Sequence, residues 1–161
     1  MIVEIIGVGE ELLIGKIANT NAQWLAQRVT SMGGRVRRIT TVGDNTSDVA
    51  SAIREAYSRQ PEFILITGGL EPTFDDKTLA GIAEAFSLPL DVNPTALRMV
   101  EERYHELSRL GVTKNIEMTK ERVKMAKLPE GAEPINNPSE PRQQFYYVER
   151  RRSLLLSLVS L

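Results

Sequence analysis

Three short segments of strand character, 2–8, 35–42 and 63–66, each lead within two residues to glycine, and each is followed by apolar residues at helical spacing. Strands of that kind, alternating with helices of 10 to 15 residues, need crossover connections, and crossovers make the strands parallel. The first run, Met1-Ile-Val-Glu-Ile-Ile-Gly-Val8, is β-branched and uninterrupted apart from Glu4, as in a strand covered on both faces. Behind it Ala18, Ala22, Leu25, Val29 and Met32 fall 4, 3, 4 and 3 apart, one face of a helix that Gly33-Gly34 can close with a left-handed cap. Val36, Ile39 and Val42 mark a second strand, and Asn45 or Thr46 can cap a helix with Val49, Ile53, Ala56 and Tyr57 inward. Phe63-Ile-Leu-Ile66 is the strongest strand signal, leading through a glycine-rich turn into a helix bearing Leu79, Ile82, Ala83 and Phe86. The reading is one α/β domain of three layers, α/β/α, around a mostly parallel central sheet. Right-handed crossovers fix its layer order.

The remainder is less regular. Asn93-Pro94 predicts an N-cap with proline in the first turn of a helix carrying Leu97, Val100, Tyr104 and Leu107 and stopping near Gly111. Residues 113–121 suit a short helix and 123–128 a strand; 129–141, with four prolines, read as a loop; 145–161 suit two edge strands. The isolated Trp24 reads as packing and His105 as surface.

Composition narrows the function. A net charge of -1 gives no basic field for nucleic acid, and Arg150-Arg151-Arg152 is the longest basic run. Cysteine is absent, which excludes disulfides and thiolate chemistry. The first apolar run is too short to span a bilayer and lacks a basic region before it, so the expectation is a cytoplasmic protein without a membrane partner.

Ligands of open parallel sheets bind beyond the carboxyl ends of the strands. Three unusual loops leave those ends: Gly7-Val-Gly-Glu-Glu-Leu-Leu-Ile-Gly15 with Asn19-Thr20-Asn21 behind it, Gly43-Asp44-Asn45, and Thr67-Gly-Gly-Leu-Glu-Pro-Thr-Phe-Asp-Asp-Lys-Thr78. Gly68-Gly69 permits close backbone approach, and a helix starting near Asp75-Asp76 turns free N–H groups toward a phosphate. Glu10, Glu11, Asp44, Asp75 and Asp76 offer hard oxygen ligands; with a phosphate they suit Mg²⁺, Mn²⁺ or a similar cation. Each also has a plainer use: Asp75 or Asp76 as a helix cap, Asp44-Asn45 as a turn, Glu10-Glu11 as a solvated pair.

In order and spacing, Gly9-Glu-Glu-Leu-Leu-Ile-Gly15, Thr20-Asn21, Gly43-Asp44, the loop 67–78 and Leu128-Pro-Glu-Gly-Ala-Glu-Pro-Ile-Asn-Asn-Pro138 resemble the amino-terminal domain of the competence/damage-inducible CinA family. That domain is grouped with molybdenum-cofactor biosynthesis proteins of the MogA and MoeA type. The resemblance covers about residues 3–138. It implies an α/β/α domain that binds molybdopterin or a related phosphorylated ligand, and metal-dependent hydrolysis of ADP-ribose to AMP and ribose 5-phosphate. It assigns Asp44, Asp76 and Glu11 as the principal acids and metal ligands. It places the phosphorylated ligand on Gly9, Asn21, Thr67, Gly68, Gly69, Thr73, Asp75 and Thr78. It also implies a homo-oligomer, and puts the family's deamidase activity in a separate carboxy-terminal domain, for which 161 residues leave no room.

The chain departs from the family at Glu10, where Asp or Asn is usual, and at Glu71, where glycine is usual. Ser139-Glu-Pro-Arg-Gln-Gln144 replaces a Gly-Thr-Ala-Pro-Gly-like segment, and a later Pro-Gly-Val-Pro-like loop is missing. The alternative expectation is therefore a module that binds molybdopterin without catalysis, or an inactive remnant.

Overall fold

A computed structural model describes residues 1–68 and 77–135, together with the backbone of two strands, Gln144–Glu149 and Arg152–Leu156. In chain order the elements are β1 (Ile2–Val8), α1 (Glu10–Leu13), α2 (Thr20–Ser31), β2 (Arg35–Val42), α3 (Thr46–Ser58), β3 (Phe63–Gly68), α4 (Lys77–Phe86), β4 (Leu90–Val92), α5 (Pro94–Arg109), α6 (Lys120–Lys124), β5 (Lys127–Pro129), β6 (Glu133–Ile135), β7 (Gln144–Glu149) and β8 (Arg152–Leu156).

The central sheet has the order β2-β1-β3 and is parallel throughout, with β1 in the middle. The chain steps from β1 to β2 on one side and returns to β3 on the other. Right-handed crossovers then require α2 and α3 to cover opposite faces, and the two cores follow that division. Val3, Ile5 and Leu65 pack on Ala22, Leu25 and Val29 of α2. Ile6, Val8, Ile64 and Ile66 pack on Val49, Ile53 and Ala56 of α3, Leu79 and Ile82 of α4, and Ala96 and Val100 of α5. Alternate residues of one strand thus feed two cores, which is why β1 reads as an apolar run broken only by Glu4. Each fully buried Ile or Val is worth roughly 1.5–3 kcal/mol of transfer free energy.

Local chemistry accounts for the helix starts. Asn45 is the N-cap of α3 and accepts from Ser47 N–H and Asp48 N–H; Asn93 caps α5, accepts from Thr95 N–H and Ala96 N–H, and is followed by Pro94. Gly33 takes φ 76° at the end of α2, the left-handed cap that Gly33-Gly34 predicts.

Glu4 interrupts the apolar run but is 1% exposed. The register of β1 against β2 slips by one residue there: Val3 pairs with Val36, whereas Glu4 pairs with Arg38. The extra residue is Arg37, and a bulge of this kind re-aims a side chain. Arg37 Nε and Nη2 donate to Glu4 Oε1 at 3.0 and 2.8 Å, while Arg59, the residue ending α3, donates from Nη2 to Oε2 at 2.8 Å. Burial alone would raise the Glu4 carboxyl, but the hydrogen bonds from Arg59 and Arg37 outweigh it and hold the group below its ordinary value.

Several expectations need correcting. Residues 113–119 form no helix; the short helix is α6, and the strand expected over 123–128 is confined to β5. β5 pairs antiparallel with β4, a strand that no apolar run announces. Glu133–Ile135, within the expected loop, is β6 and pairs with β7. The two strands expected over 145–161 are β7 and β8, which pair antiparallel with one another. Ala18 precedes α2, Met32 is 65% exposed, and Trp24 is 45% exposed rather than packed, because α2 buries only the stripe through Ala22, Leu25 and Val29. Ile39 is likewise half-exposed, since β2 is the free edge of the three-stranded sheet. Among the described residues no helix is long and apolar enough to cross a membrane.

Candidate functional site

The carboxyl ends of β1, β2 and β3 lie side by side: Gly7 is in register with Thr41 and Thr67, and Val8 with Val42 and Gly68. Order 2-1-3 places a topological switch point between β1 and β3, where crossovers leave in opposite directions and open a crevice above the sheet.

Glycine chemistry holds the crevice floor. Gly68 has φ 96°, and a Cβ there would run into the Val8 carbonyl, so only glycine lets β3 end beside β1 in this way. The Thr78 hydroxyl, fully buried at the start of α4, donates to the Gly68 carbonyl at 3.0 Å and ties the helix to the strand end.

The first loop reaches both neighbours. Gly9 N–H donates to Val42 O at 3.0 Å, prolonging the β1–β2 ladder by one step. Glu10 then opens α1, and its backbone N–H donates to Asp44 Oδ2 at 3.2 Å. The Glu10 carboxylate lies over Gly43, its Oε2 2.5 Å from where a Cβ would stand. Toward β3, Asn21 Nδ2 donates to the hydroxyl oxygen of the buried Thr67 at 3.1 Å. Residues from all three loops, 34 and 46 positions apart, are bonded to one another along one rim.

Glu10, Asp44, Gly9, Asn21, Thr67, Gly68 and Thr78 are therefore neighbours. Glu11 folds back over Gly9, its Cδ 2.9 Å from where a Cβ on Gly9 would lie, and it is Glu10 whose backbone holds Asp44. Gly69, Thr73, Asp75 and Asp76 lie outside the described residues, as does Glu71. Among the described residues no three His, Cys, Asp or Glu side chains are grouped so as to hold a metal ion. Sequence reasoning gives Asn19 no role of its own, although Asn19-Thr-Asn21 carries the signal: it is the N-cap of α2, accepting from Ala22 N–H at 3.0 Å, and stands beside Gly7.

A parallel sheet of order 2-1-3 with helices on both faces, and with glycines and acids at its carboxyl rim, defines an α/β domain of the switch-point type. Residues 4–141 match the family described as "Probable molybdopterin binding domain". The chain belongs to that family. Its fold is similar to that of CinA from Thermoplasma acidophilum, a protein described as of unknown function, with a TM-score of 0.83 and 30% identity over 96% of this chain and 86% of that one. It is also similar to the molybdopterin biosynthesis enzyme MoaB of Thermus thermophilus, at TM-score 0.56 and 15% identity over 96% and 79% of the two chains, a likeness of fold alone. A protein of Pyrococcus horikoshii is 47% identical over 137 residues, 85% of this chain and 54% of that protein; one of Saccharolobus solfataricus is 48% identical over 134 residues, 83% and 47%. The chain thus spans about half the length of the curated relatives it matches.

Proposed function

We propose that this domain binds a phosphorylated pterin or nucleotide at the rim between β1 and β3, and that with a divalent cation it hydrolyses the pyrophosphate of ADP-ribose-like substrates. The observation that supports this reading is the joining of three loops at the strand ends, Glu10 to Asp44 and Asn21 to Thr67. Small phosphorylated ligands suit such a rim because ligands of parallel sheets seat beyond the carboxyl ends of the strands, and a divalent cation would offset the acids that stand there.

In the reaction water adds to one phosphorus and the bridging P–O bond breaks, so ADP-ribose yields AMP and ribose 5-phosphate. Glu11, Asp44 and Asp76 are the proposed cation ligands, chosen for their hard oxygens. A bound Mg²⁺, Mn²⁺ or Co²⁺ would offset phosphate charge and lower the pKa of a coordinated water. The Glu10 N–H donates to Asp44 Oδ2 and restrains that carboxylate, which supports its choice as a ligand. On this reading the protein is a cytoplasmic homo-oligomer whose partner is a small molecule rather than nucleic acid or membrane.

Chromatographic detection of AMP after incubation with ADP-ribose and each cation tests the activity. Asp44→Ala should lower AMP release about 100-fold or more, whereas Glu84→Ala, on the exposed flank of α4, should leave it unchanged. Equal rates for Asp44→Ala and the unaltered chain would reject the catalytic assignment. The departures at Glu71 and 139–144 favour a second reading, a module that holds molybdopterin or a nucleotide without turning it over. Ligand-induced thermal stabilisation without product would mark that outcome.

A further inference from the structure

One donor at the rim lacks an acceptor. Asn19 uses Oδ1 to cap α2, which fixes which end of its amide is oxygen and which is nitrogen. Its Nδ2 is shut off from solvent and has no hydrogen-bond partner among the described residues. Gly7 makes room for it: the nearest atom to a Cβ built on Gly7 is Asn19 Nδ2, close enough that any side chain at 7 would expel the amide. Gly7 is in register with Thr67, the residue that Asn21 holds two positions further along α2, so the unpaired amide sits at the β1–β3 switch point.

A buried amide without an acceptor is destabilising, and folded proteins retain such groups where function uses them. A trapped water explains this one poorly. A buried water needs two to four polar partners, and beside the amide stands the apolar Leu12, whose Cδ1 lies 3.5 Å from the same point above Gly7. Leu12 belongs to the four-residue α1, a short element held mainly by its own turn and by Asp44.

We infer that Asn19 Nδ2–H donates to an anionic oxygen of the ligand seated between the ends of β1 and β3, the ligand displacing Leu12 to reach it. This rests on the proposed ligand-binding reading and adds to it a residue and a contact chemistry. Asn19 is then a binding residue with two fixed tasks: its oxygen starts α2 and its nitrogen reads the ligand.

Asn19→Asp separates the two tasks, because a carboxylate still caps Ala22 N–H but presents an anion where the N–H stood. Titration calorimetry of the full chain with ADP-ribose, and separately with inorganic pyrophosphate, should show affinity for both lowered tenfold or more in Asn19→Asp. The ligand-free variant should still unfold cooperatively but melt several degrees lower, because the new carboxylate oxygen is shut off from solvent beside Leu12. Affinities within twofold of the original would overturn the inference while leaving the ligand-binding reading intact. A parent chain that binds neither compound overturns both. Should Asn19→Asp fail to fold, the Asn19 side-chain amide resonances of the ¹⁵N-labelled parent decide. They should shift on titration with pyrophosphate, and resonances that stay in place while binding occurs would reject the contact.

Discussion

Glu4 is buried and held by two arginines, so its surroundings bear directly on stability. Its carboxylate is buried, but Arg37 and Arg59 keep 33% and 27% of their side chains exposed, so the guanidinium groups remain partly hydrated if the acid is lost. Glu4→Gln should therefore cost about 1–3 kcal/mol at pH 7, less than the breaking of a wholly buried pair. The pH dependence has a definite sign. The carboxyl is held below its ordinary value of 4.5 in the folded chain, so its contribution is complete above 4.5 and fades as pH falls through the lower folded value. Urea midpoints measured from pH 7 down to pH 3 should fall more steeply for the original chain than for Glu4→Gln. Parallel curves would mean the pair does not act in this way. Nothing near Glu4 in the chain signals any of this: its partners are 33 and 55 residues away, and a single acid in an apolar run looks like a blemish until both arginines are placed.

At the scale of elements, α3 and α4 meet closely because of one glycine. A Cβ on Gly81 would lie 2.5 Å from Val49 Cγ1, nearer than real contacts allow, and 3.2 Å from the Thr46 carbonyl, a tight approach. Tyr57 and Phe86 close the far end of the pair edge to face, with ring centres 5.5 Å apart. Alanine at 81 would gain about 1 kcal/mol in helix propensity, but overpacking should outweigh it and leave Gly81→Ala about 1–2 kcal/mol less stable. Val49→Ala in the same chain should return part of that loss, and a double-mutant cycle by urea denaturation should find coupling of about 1 kcal/mol. Additive effects would mean the helices separate freely. Elements of this length were legible because helical period, asparagine caps and Pro94 act within a few residues of one another. β4 and β5 were not: three residues each, they exist through a pairing across 39 positions, Leu90 with Pro129. α1 was hidden for a similar reason, as four residues stabilised by contacts to β2 and Asp44. At the rim, the gathering of Gly9, Asp44, Asn21 and Thr67 was legible because parallel topology carries strand ends together whatever their spacing. Which glutamate would face Asp44 was not, since that depends on where α1 begins.

Across the whole molecule, β1 runs from an arginine-flanked end to an acidic one. Glu4, neutralised by Arg37 and Arg59, and Gly9, beside Glu10 and Glu11, are separated by about 16 Å of strand. Binding of pyrophosphate in the presence of a chelator should tighten severalfold as NaCl rises from about 0.01 to about 0.15 M, because salt shortens the reach of the repelling acids from about 30 to about 8 Å. Affinity that weakens with salt instead would mean that cationic groups govern the rim. The one-residue bulge at Arg37 thus has its effect at the end of the strand remote from the crevice. By turning a positive side chain inward at the start of β1, it lets the sheet bury a carboxylate far from the crevice, and the acids left at the other end set a voltage that an incoming anion meets before it touches anything.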